Sequence, residues 1–462
     1  MDAITFGTDG WRATLDEFTP SRVRMVGQAV ADALDDEGQG DESVIVGYDA
    51  RPTSREFAEE LARVLCVNGH DVWLPERDRP TPLVAFAIVD RDLAGGLMIT
   101  ASHNPPEYNG VKFIPSDGAP ALPAVTDAIE ANLREPEALP ESEWGEVREV
   151  NLVHPHAEHA LDLVGAYDHD AIEGRTIAYD AMHGSGRDTT DSLLERGGAD
   201  VERLRCSEDD TFGGTPPEPS EENLAGLVET VRDGNADLGI ANDGDADRIA
   251  VVTPERGFLD ENLFFAAMYD YLLEEDAGPA VRTVSTTFLI DRVAEAHGES
   301  TVETAVGFKW VAEAMVDHDA LIGGEESGGF SIRGHVPEKD GVLMAFLATV
   351  ADAAEPLDDR VDRLLDKHGE IHQDKVSVDC LDEEKARVLD DLEGKIPDAV
   401  AGVAVEDVVI VDGFKLLLAD GSWLLVRPSG TEPKLRVYAE AESDLRVDEL
   451  LSEGRELVET VL

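Results

Sequence analysis

Short β-branched and apolar runs alternate with amphipathic helical windows along most of this chain, a rhythm that admits little besides layered α/β domains. In the first stretch, residues 44–48, 71–74 and 96–100 read as strands. Residues 54–67 read as a helix with Phe57, Leu61 and Leu65 on one face, and residues 82–90 as another. A proline- and acid-rich passage, 136–149, reads as the exit from this unit. The plan then repeats: strands 176–180, 201–204 and 237–241 with helices 187–196 and 222–233, and strands 281–285, 301–304 and 320–323 with helices 289–297 and 309–317. Such repetition without sequence identity predicts an internal structural triplication. From about residue 371 the pattern changes. Strands 375–378, 408–411, 415–418, 423–428 and 435–441, joined by turns such as 419–422, predict an antiparallel sheet with helices 383–392 and 444–462 on one face. Four domains follow: 1–150, 151–255, 256–368 and 369–462.

Charge narrows the range of partners. The 462 residues carry 38 Lys and Arg against 99 Asp and Glu, a net −61, with 42% apolar residues to build several cores. A nucleic-acid site must neutralise phosphates with basic side chains, so most nucleic-acid roles are ruled out and no nucleic-acid partner is expected, and an anionic membrane surface is equally disfavoured. Self-repulsion on this scale destabilises a compact state in dilute salt and is screened when the Debye length falls to about 3 Å at 1 M. Only nine of the 38 basic residues are Lys. The expectation is a cytoplasmic protein of a highly saline cell, a monomer or a homodimer. Cys66, Cys206 and Cys380 are odd in number and far apart, so neither a disulfide framework nor a zinc ribbon fits. The amino-terminal residues lack the basic and apolar regions of a secretory leader, and no apolar run reaches the roughly 18 residues a membrane helix needs.

Four loops at predicted strand ends carry chemistry, the position where open α/β sheets place ligands. In TASHNPPEYNGVKF, Ser102 leaves a strand beside His103 and Asn104, with Lys112 downstream behind Gly110. A serine so placed is a candidate nucleophile or phosphate carrier, or else a helix cap. In Asp243-Gly244-Asp245-Ala246-Asp247-Arg248, three alternate carboxylates can converge on a hard cation of Mg²⁺ type, with Gly244 expected to allow a sharp turn. An EF-hand is excluded, because Arg248 and Pro254 stand where Gly and Glu are required; a solvated acidic turn stays open. In Gly324-Glu325-Glu326-Ser327-Gly328-Gly329, carboxylate and hydroxyl can accept bonds from sugar hydroxyls, or form a plain turn. In RPSGTEPKLR, Arg427, Ser429, Gly430, Thr431, Lys434 and Arg436 make a cradle for a phosphate dianion. Together these parts spell phosphoryl transfer, which depends on positioning and charge neutralisation.

The whole chain resembles the α-D-phosphohexomutase superfamily, the phosphoglucomutases and phosphomannomutases. FGTDGWR (residues 6–12), TASHNPPEYNGVK, DGDADR, GEESGG and RPSGTEPKLR occur in the family's order and spacing. The resemblance implies three related mixed α/β sandwich domains and a C-terminal α+β domain with an antiparallel sheet, around a central cleft. It implies that Ser102 is phosphorylated in the resting enzyme, and that Asp243, Asp245 and Asp247 hold Mg²⁺ with the phosphoserine oxygen. Lys112 would be the general acid/base, with Arg12 and His103 near the phosphoserine. Arg248, Lys309, Glu325 and Ser327 would face the sugar. Arg427, Ser429, Gly430, Thr431 and Arg436 would hold the non-reacting phosphate. The implied reaction passes through a hexose 1,6-bisphosphate. Two glutamates before Ser327, and Val306-Gly307-Phe308-Lys309 without the Gly-His common in phosphomannomutases, lean towards glucose. Phe308 and Lys309 are equally readable as helix-start residues. Dual glucose/mannose activity is the alternative, with glucosamine less favoured and a metal-dependent sugar phosphatase as the reading of another class.

Overall fold

The protein is described from a computed structural model covering residues 4–7, 10–165, 172–430 and 432–462. Thr431 of the expected phosphate cradle, and Thr8 and Asp9 of the amino-terminal motif, lie outside the described residues.

Three mixed sheets share one plan. The first has the order Trp11–Thr14, Tyr108–Pro115, Gly95–Ile99, Val44–Tyr48, Val72–Pro75, Val147–Val150. The second runs Gly257–Leu259, Ile249–Thr253, Leu238–Asn242, Thr176–Asp180, Asp200–Leu204, and the third Thr301–Thr304, Ala280–Thr283, Ile322–Gly324, Phe330–Ile332. In each, one strand of the parallel set turns back into an antiparallel neighbour: Gly95–Ile99 into Tyr108–Pro115, Leu238–Asn242 into Ile249–Thr253, Ile322–Gly324 into Phe330–Ile332. In these three domains the expected functional loop is therefore the turn of an antiparallel hairpin grafted onto parallel strands. That arrangement fixes both ends of the loop in a buried sheet.

Local chemistry explains the elements. Leu238–Asn242 and Val44–Tyr48 are buried at every position, as parallel strands covered on both faces must be. Helix Ser54–Val67 buries Phe57, Ala58, Leu61 and Leu65 along one stripe. Two expectations need correction. Residues 136–149 do not simply leave the first domain: Val147–Val150 pairs in parallel with Val72–Pro75 as an edge strand. Its charged, mostly exposed sequence reads as linker because an edge needs burial on one side only. The strand predicted over 408–411 spans Val403–Val409, with a bulge near Asp407, and leaves Ile410 and Val411 outside it and exposed.

The C-terminal sheet, His372–Asp379, Lys434–Ala441, Trp423–Pro428, Phe414–Leu418, Val403–Val409, Ala399–Val400, is antiparallel throughout and packs on helices Asp382–Glu393 and Asp444–Glu459. The first three domains are joined through one continuous apolar cluster that includes Ile45, Leu83, Tyr179, Leu194, Phe265 and Phe346. The fourth keeps its own core, and meets the third through Val284, Trp423, Leu425 and Tyr438. Among the described residues, no helix is long and apolar enough to cross a membrane.

Candidate active site

The Ser102 loop is held in an uncommon backbone state. Ser102 has φ +50°, the left-handed region that costs a non-glycine residue about 1–2 kcal/mol. Its amide donates to Thr100 Oγ1 at 2.8 Å, and its carbonyl accepts from Arg51 Nη2 at 2.7 Å. The same guanidinium donates to the carbonyls of Asn104, Pro105 and Tyr108 and to Asp49 Oδ2. Asp49 in turn accepts from Ser54 and Thr100. This buried scaffold presents the Ser102 hydroxyl to Asp243, where Oγ donates to Oδ2 at 2.7 Å. His103 Nδ1 lies 3.2 Å from the same Oγ, and Arg12 Nη1 donates to Asn104 Oδ1 at 3.1 Å.

Asp243, Asp245 and Asp247 are all buried, and their carboxylate oxygens lie within 4.8 Å of one another. Burial first, then the charges of Asp245 and Asp247, push the Asp243 carboxyl well above the usual carboxylate range. Lys112 Nζ sits 3.3 Å from Asp245 and 3.1 Å from Asp247. A solvated acidic turn is therefore not what the fold builds. Gly244 serves a different purpose from the expected sharp turn. A Cβ there would stand 2.5 Å from the Ser102 carbonyl oxygen, so glycine lets the two loops touch; the left-handed residue of the loop is Ala246, at φ +53°.

The other two loops join from the third and fourth domains. Arg248 pairs by a β-bridge with Gly329, and its guanidinium acts on Glu325, whose carboxyl is raised by burial. Glu325 Oε1 accepts from the Gly307 amide at 3.0 Å, so the 306–309 and 324–329 loops are tied together. Ser327 is half-buried beside them, and Lys309 lies 5.8 Å from the Trp310 ring on helix Phe308–His318. Phe308 is buried as a core residue, consistent with its helix-start reading. In the fourth domain, Arg427 and Arg436 stand opposite each other on paired strands. Arg427 Nε donates to Asp412 Oδ2 at 2.8 Å, and Asp412 also accepts from the Val306 amide, linking the cradle to the third domain. Ser429 is buried, Gly430 is exposed at the bend, and Arg436 bonds Glu432.

Comparison with known proteins then decides the family. Models described as phosphoglucomutase/phosphomannomutase alpha/beta/alpha domains I, II and III and C-terminal domain match residues 3–139, 155–257, 260–368 and 378–457. The chain belongs to the phosphoglucomutase/phosphomannomutase family. Its members are isomerases that transfer phosphate intramolecularly, and so is this mutase. A Thermococcus kodakarensis protein named phosphoglucomutase/phosphomannomutase is 33% identical, with 99% of each chain covered. A Methanopyrus kandleri protein named as a probable phosphoglucosamine mutase is 35% identical over 98% of this chain and 97% of its own. A crystal structure from Thermus thermophilus, bearing a phosphomannomutase name, superposes with TM-score 0.86 at 32% identity over 99% of both chains.

The same cluster also holds residues that sequence reasoning missed. Lys339 Nζ lies 3.3 Å from Asp247 Oδ2 and 5.4 Å from the Phe308 ring, almost fully buried. Its signal was available: it is one of nine lysines, set in Glu338-Lys339-Asp340-Gly341 just beyond the sugar loop. Thr81, from the first domain, donates through Oγ1 to Asp245 Oδ2 at 2.6 Å and through its amide to the Asp245 carbonyl. Lys385 Nζ donates to the carbonyls of Ser429 and Glu432, bracing the loop between strands Trp423–Pro428 and Lys434–Ala441. Arg51 left no local signal, because its partners are carbonyls scattered over 102–108. His103 is held neutral, its imidazole pushed far below the ordinary range by the Arg248 guanidinium and by burial.

Proposed function

We propose that this mutase interconverts glucose 1-phosphate and glucose 6-phosphate through a phosphorylated Ser102 and a hexose 1,6-bisphosphate. The observation that carries this reading is the 2.7 Å bond from Ser102 Oγ to Asp243, inside a buried group of three carboxylates. The donors suit Mg²⁺: all are carboxylate oxygens, and Asp247 Oδ1 is buried without a hydrogen-bond donor. Asp243, Asp245 and Asp247, with the Ser102 oxygen, would hold the ion. When bound, Mg²⁺ supplies neutralisation of charge on the phosphoryl oxygens.

The chain's own groups account for the rest. The scaffold around Arg51 presents the Ser102 oxygen outward, and Arg12 and neutral His103 flank it. Lys112, beside Asp245 and Asp247, is the group that takes the proton of the acceptor hydroxyl as its neutral amine and gives it up again as the ammonium. Arg248, Lys309, Glu325 and Ser327 orient the sugar. Arg427, Ser429, Gly430, Thr431 and Arg436 clamp the phosphate that is not reacting. In the first transfer the phosphoserine O–P bond breaks as a new O–P bond forms to the free hydroxyl of the hexose phosphate; the proton of that hydroxyl passes to the Lys112 amine, and the freed Ser102 oxygen takes up a proton in turn. The bisphosphate then turns over, and its other phosphoryl group returns to Ser102. We take each domain, 1–150, 151–255, 256–368 and 369–462, to supply one of the four loops. We place the enzyme in a saline cytoplasm, where its net −61 is screened.

We favour glucose on the resemblance of Glu325-Glu326-Ser327 and Gly307-Phe308-Lys309 to the glucose-type loops of the family; the Gly307–Glu325 bond ties these two loops together. Dual glucose/mannose activity is the second reading. Turnover of glucose, mannose and glucosamine 1-phosphates, measured at molar KCl with Mg²⁺, tests the order. The glucose substrate should be fastest, and Ser102→Ala should lose orders of magnitude. Full activity of that variant, or steady release of free phosphate, would overturn the reading.

A further inference from the structure

One group of metal-ligating side chains stands apart from the reaction. His156 and His159 lie three residues apart on helix Val153–Gly165. His335 follows strand Phe330–Ile332, and Asp340 caps helix Gly341–Ala354 through Oδ1, which accepts from the Leu343 amide at 2.7 Å. The second oxygen, Asp340 Oδ2, receives two imidazoles: His156 Nε2 at 2.6 Å and His335 Nε2 at 2.9 Å. All three side chains are essentially closed to solvent. Phe86 of the first domain stacks on His335 and leans on His159, closing the group from a third direction.

We propose that His156 Nε2, His335 Nε2 and Asp340 Oδ2 form a site for one divalent transition ion of the zinc class, separate from the all-oxygen Asp243 group. Two nitrogens and one carboxylate oxygen are the donor set that selects Zn²⁺ or its neighbours over Mg²⁺. The three atoms converge already. An ion with bonds of roughly 2.1 Å sets its ligands about 3.0–3.4 Å apart. Seating it therefore opens two contacts by less than about 1 Å. The supporting contacts of a metal site are also in place. His159 Nε2 lies 3.1 Å from His335 Nδ1, so the far nitrogen of that ligand is held, and the Leu343 amide fixes the far oxygen of Asp340.

Each imidazole binds the ion as its neutral Nδ1–H tautomer: the proton leaves Nε2 and one is carried on Nδ1, which in His335 faces His159 Nε2, and the ion takes the place of the Nε2 protons on Asp340. The fourth position falls to water. The ion would clip helix Val153–Gly165 to the start of helix Gly341–Ala354. That start adjoins Lys339, whose ammonium faces Asp247 at 3.3 Å. A cation in the histidine site would thus brace one wall of the catalytic group without touching substrate.

The test uses the full chain, stripped of metal, in saturating Mg²⁺, and titrated with Co²⁺. One equivalent should bind with the visible bands of nitrogen-ligated cobalt, and Zn²⁺ should displace it. Asp243→Asn should keep the bands. His156→Gln and His335→Gln, which retain a donor to Asp340 but no imidazole, should lose them. His159→Gln should weaken binding by about 10–100-fold. X-ray absorption of the wild-type zinc form gives a readout independent of any variant, and should show imidazole scattering from two histidines. Absence of the bands, their survival in both histidine variants, their loss in Asp243→Asn, or an oxygen-only shell around zinc would each overturn the proposal and leave a purely hydrogen-bonded cluster.

Discussion

Replacing Arg51 tests whether the Ser102 loop is held from beneath. The side chain is fully buried and spends its guanidinium on five acceptors: Asp49 and the carbonyls of Ser102, Asn104, Pro105 and Tyr108. It also lies 5.3 Å from the Phe212 ring of the second domain. Arg51→Met leaves Asp49 buried without its cation, a loss that costs about 3–5 kcal/mol in comparable buried pairs. Arg51→Lys keeps the charge but offers at most three donors from a single point, so it should recover only part of that cost. The second effect is catalytic. Ser102 sits in a backbone state costing about 1–2 kcal/mol, and the bond from Arg51 to its carbonyl is one of two that hold it there. Each 1.4 kcal/mol by which competent loops become rarer lowers kcat about tenfold. Denaturant unfolding in molar KCl, with kcat and KM for glucose 1-phosphate, reads both effects. Because Arg51 faces the loop's carbonyls, kcat should fall in both variants with little change in KM. Wild-type kcat and an unchanged unfolding midpoint in Arg51→Lys would refute the scaffold argument.

Lys339→Met removes one of two ammonium groups facing Asp247 and should lower kcat by about 10²–10³, the cost of losing one preorganised charge. A chelator should abolish turnover and Mg²⁺ restore it; activity that persists in the chelator counts against the Asp243 group as the cation site. Lys415 is buried against Phe288 and Trp423, and burial, then the Arg282 charge, lowers its amine from 10.5 to about 8 despite Glu303. Between those values the unfolded chain binds more protons, so this residue makes stability rise with pH, by up to about 1.4 kcal/mol per unit. Below pH 8 its contribution is flat. Unfolding midpoints from pH 7.5 to 10 should show that slope in the wild type and less of it in Lys415→Met. Finally, the unfolding midpoint should climb between dilute and molar KCl, as screening removes the repulsion of a net −61; equal stability in dilute buffer would remove the saline reading.

Much of the fold was legible because periodicity reports burial. Strands such as Val44–Tyr48 and Thr176–Asp180, and the helix Leu289–His297, occupy the residues their patterns indicate. The elements that escaped have sequences whose local signal opposes their state. Tyr108–Pro115 carries Gly110 and follows two prolines, yet it is a strand because it is paired on both sides, with Trp11–Thr14 and Gly95–Ile99. Phe330–Ile332 is three residues long, too short for any period to show. The same division runs through the site. The three aspartates are visible as a motif because they stand at alternate positions of one loop, and Ser102 because it leaves a predicted strand beside His103 and Asn104. Thr81, Lys339 and Lys385 reach the same loops from other elements, so no spacing announces them.

The sequence by itself determined the chemistry available to this protein: a serine, three alternating carboxylates, a turn of carboxylates and a hydroxyl, and a basic cluster in a chain otherwise strongly acidic. It also determined the domain type, since hydrophobic period is a property of consecutive residues. Tertiary structure decided what those groups do to one another. Only folding places Asp243 beside Ser102, sets Lys112 and Lys339 against Asp247, and sinks Asp340 between two imidazoles. The reason is physical. Burial removes water, and without water the charge of each group depends on which distant residue is packed against it.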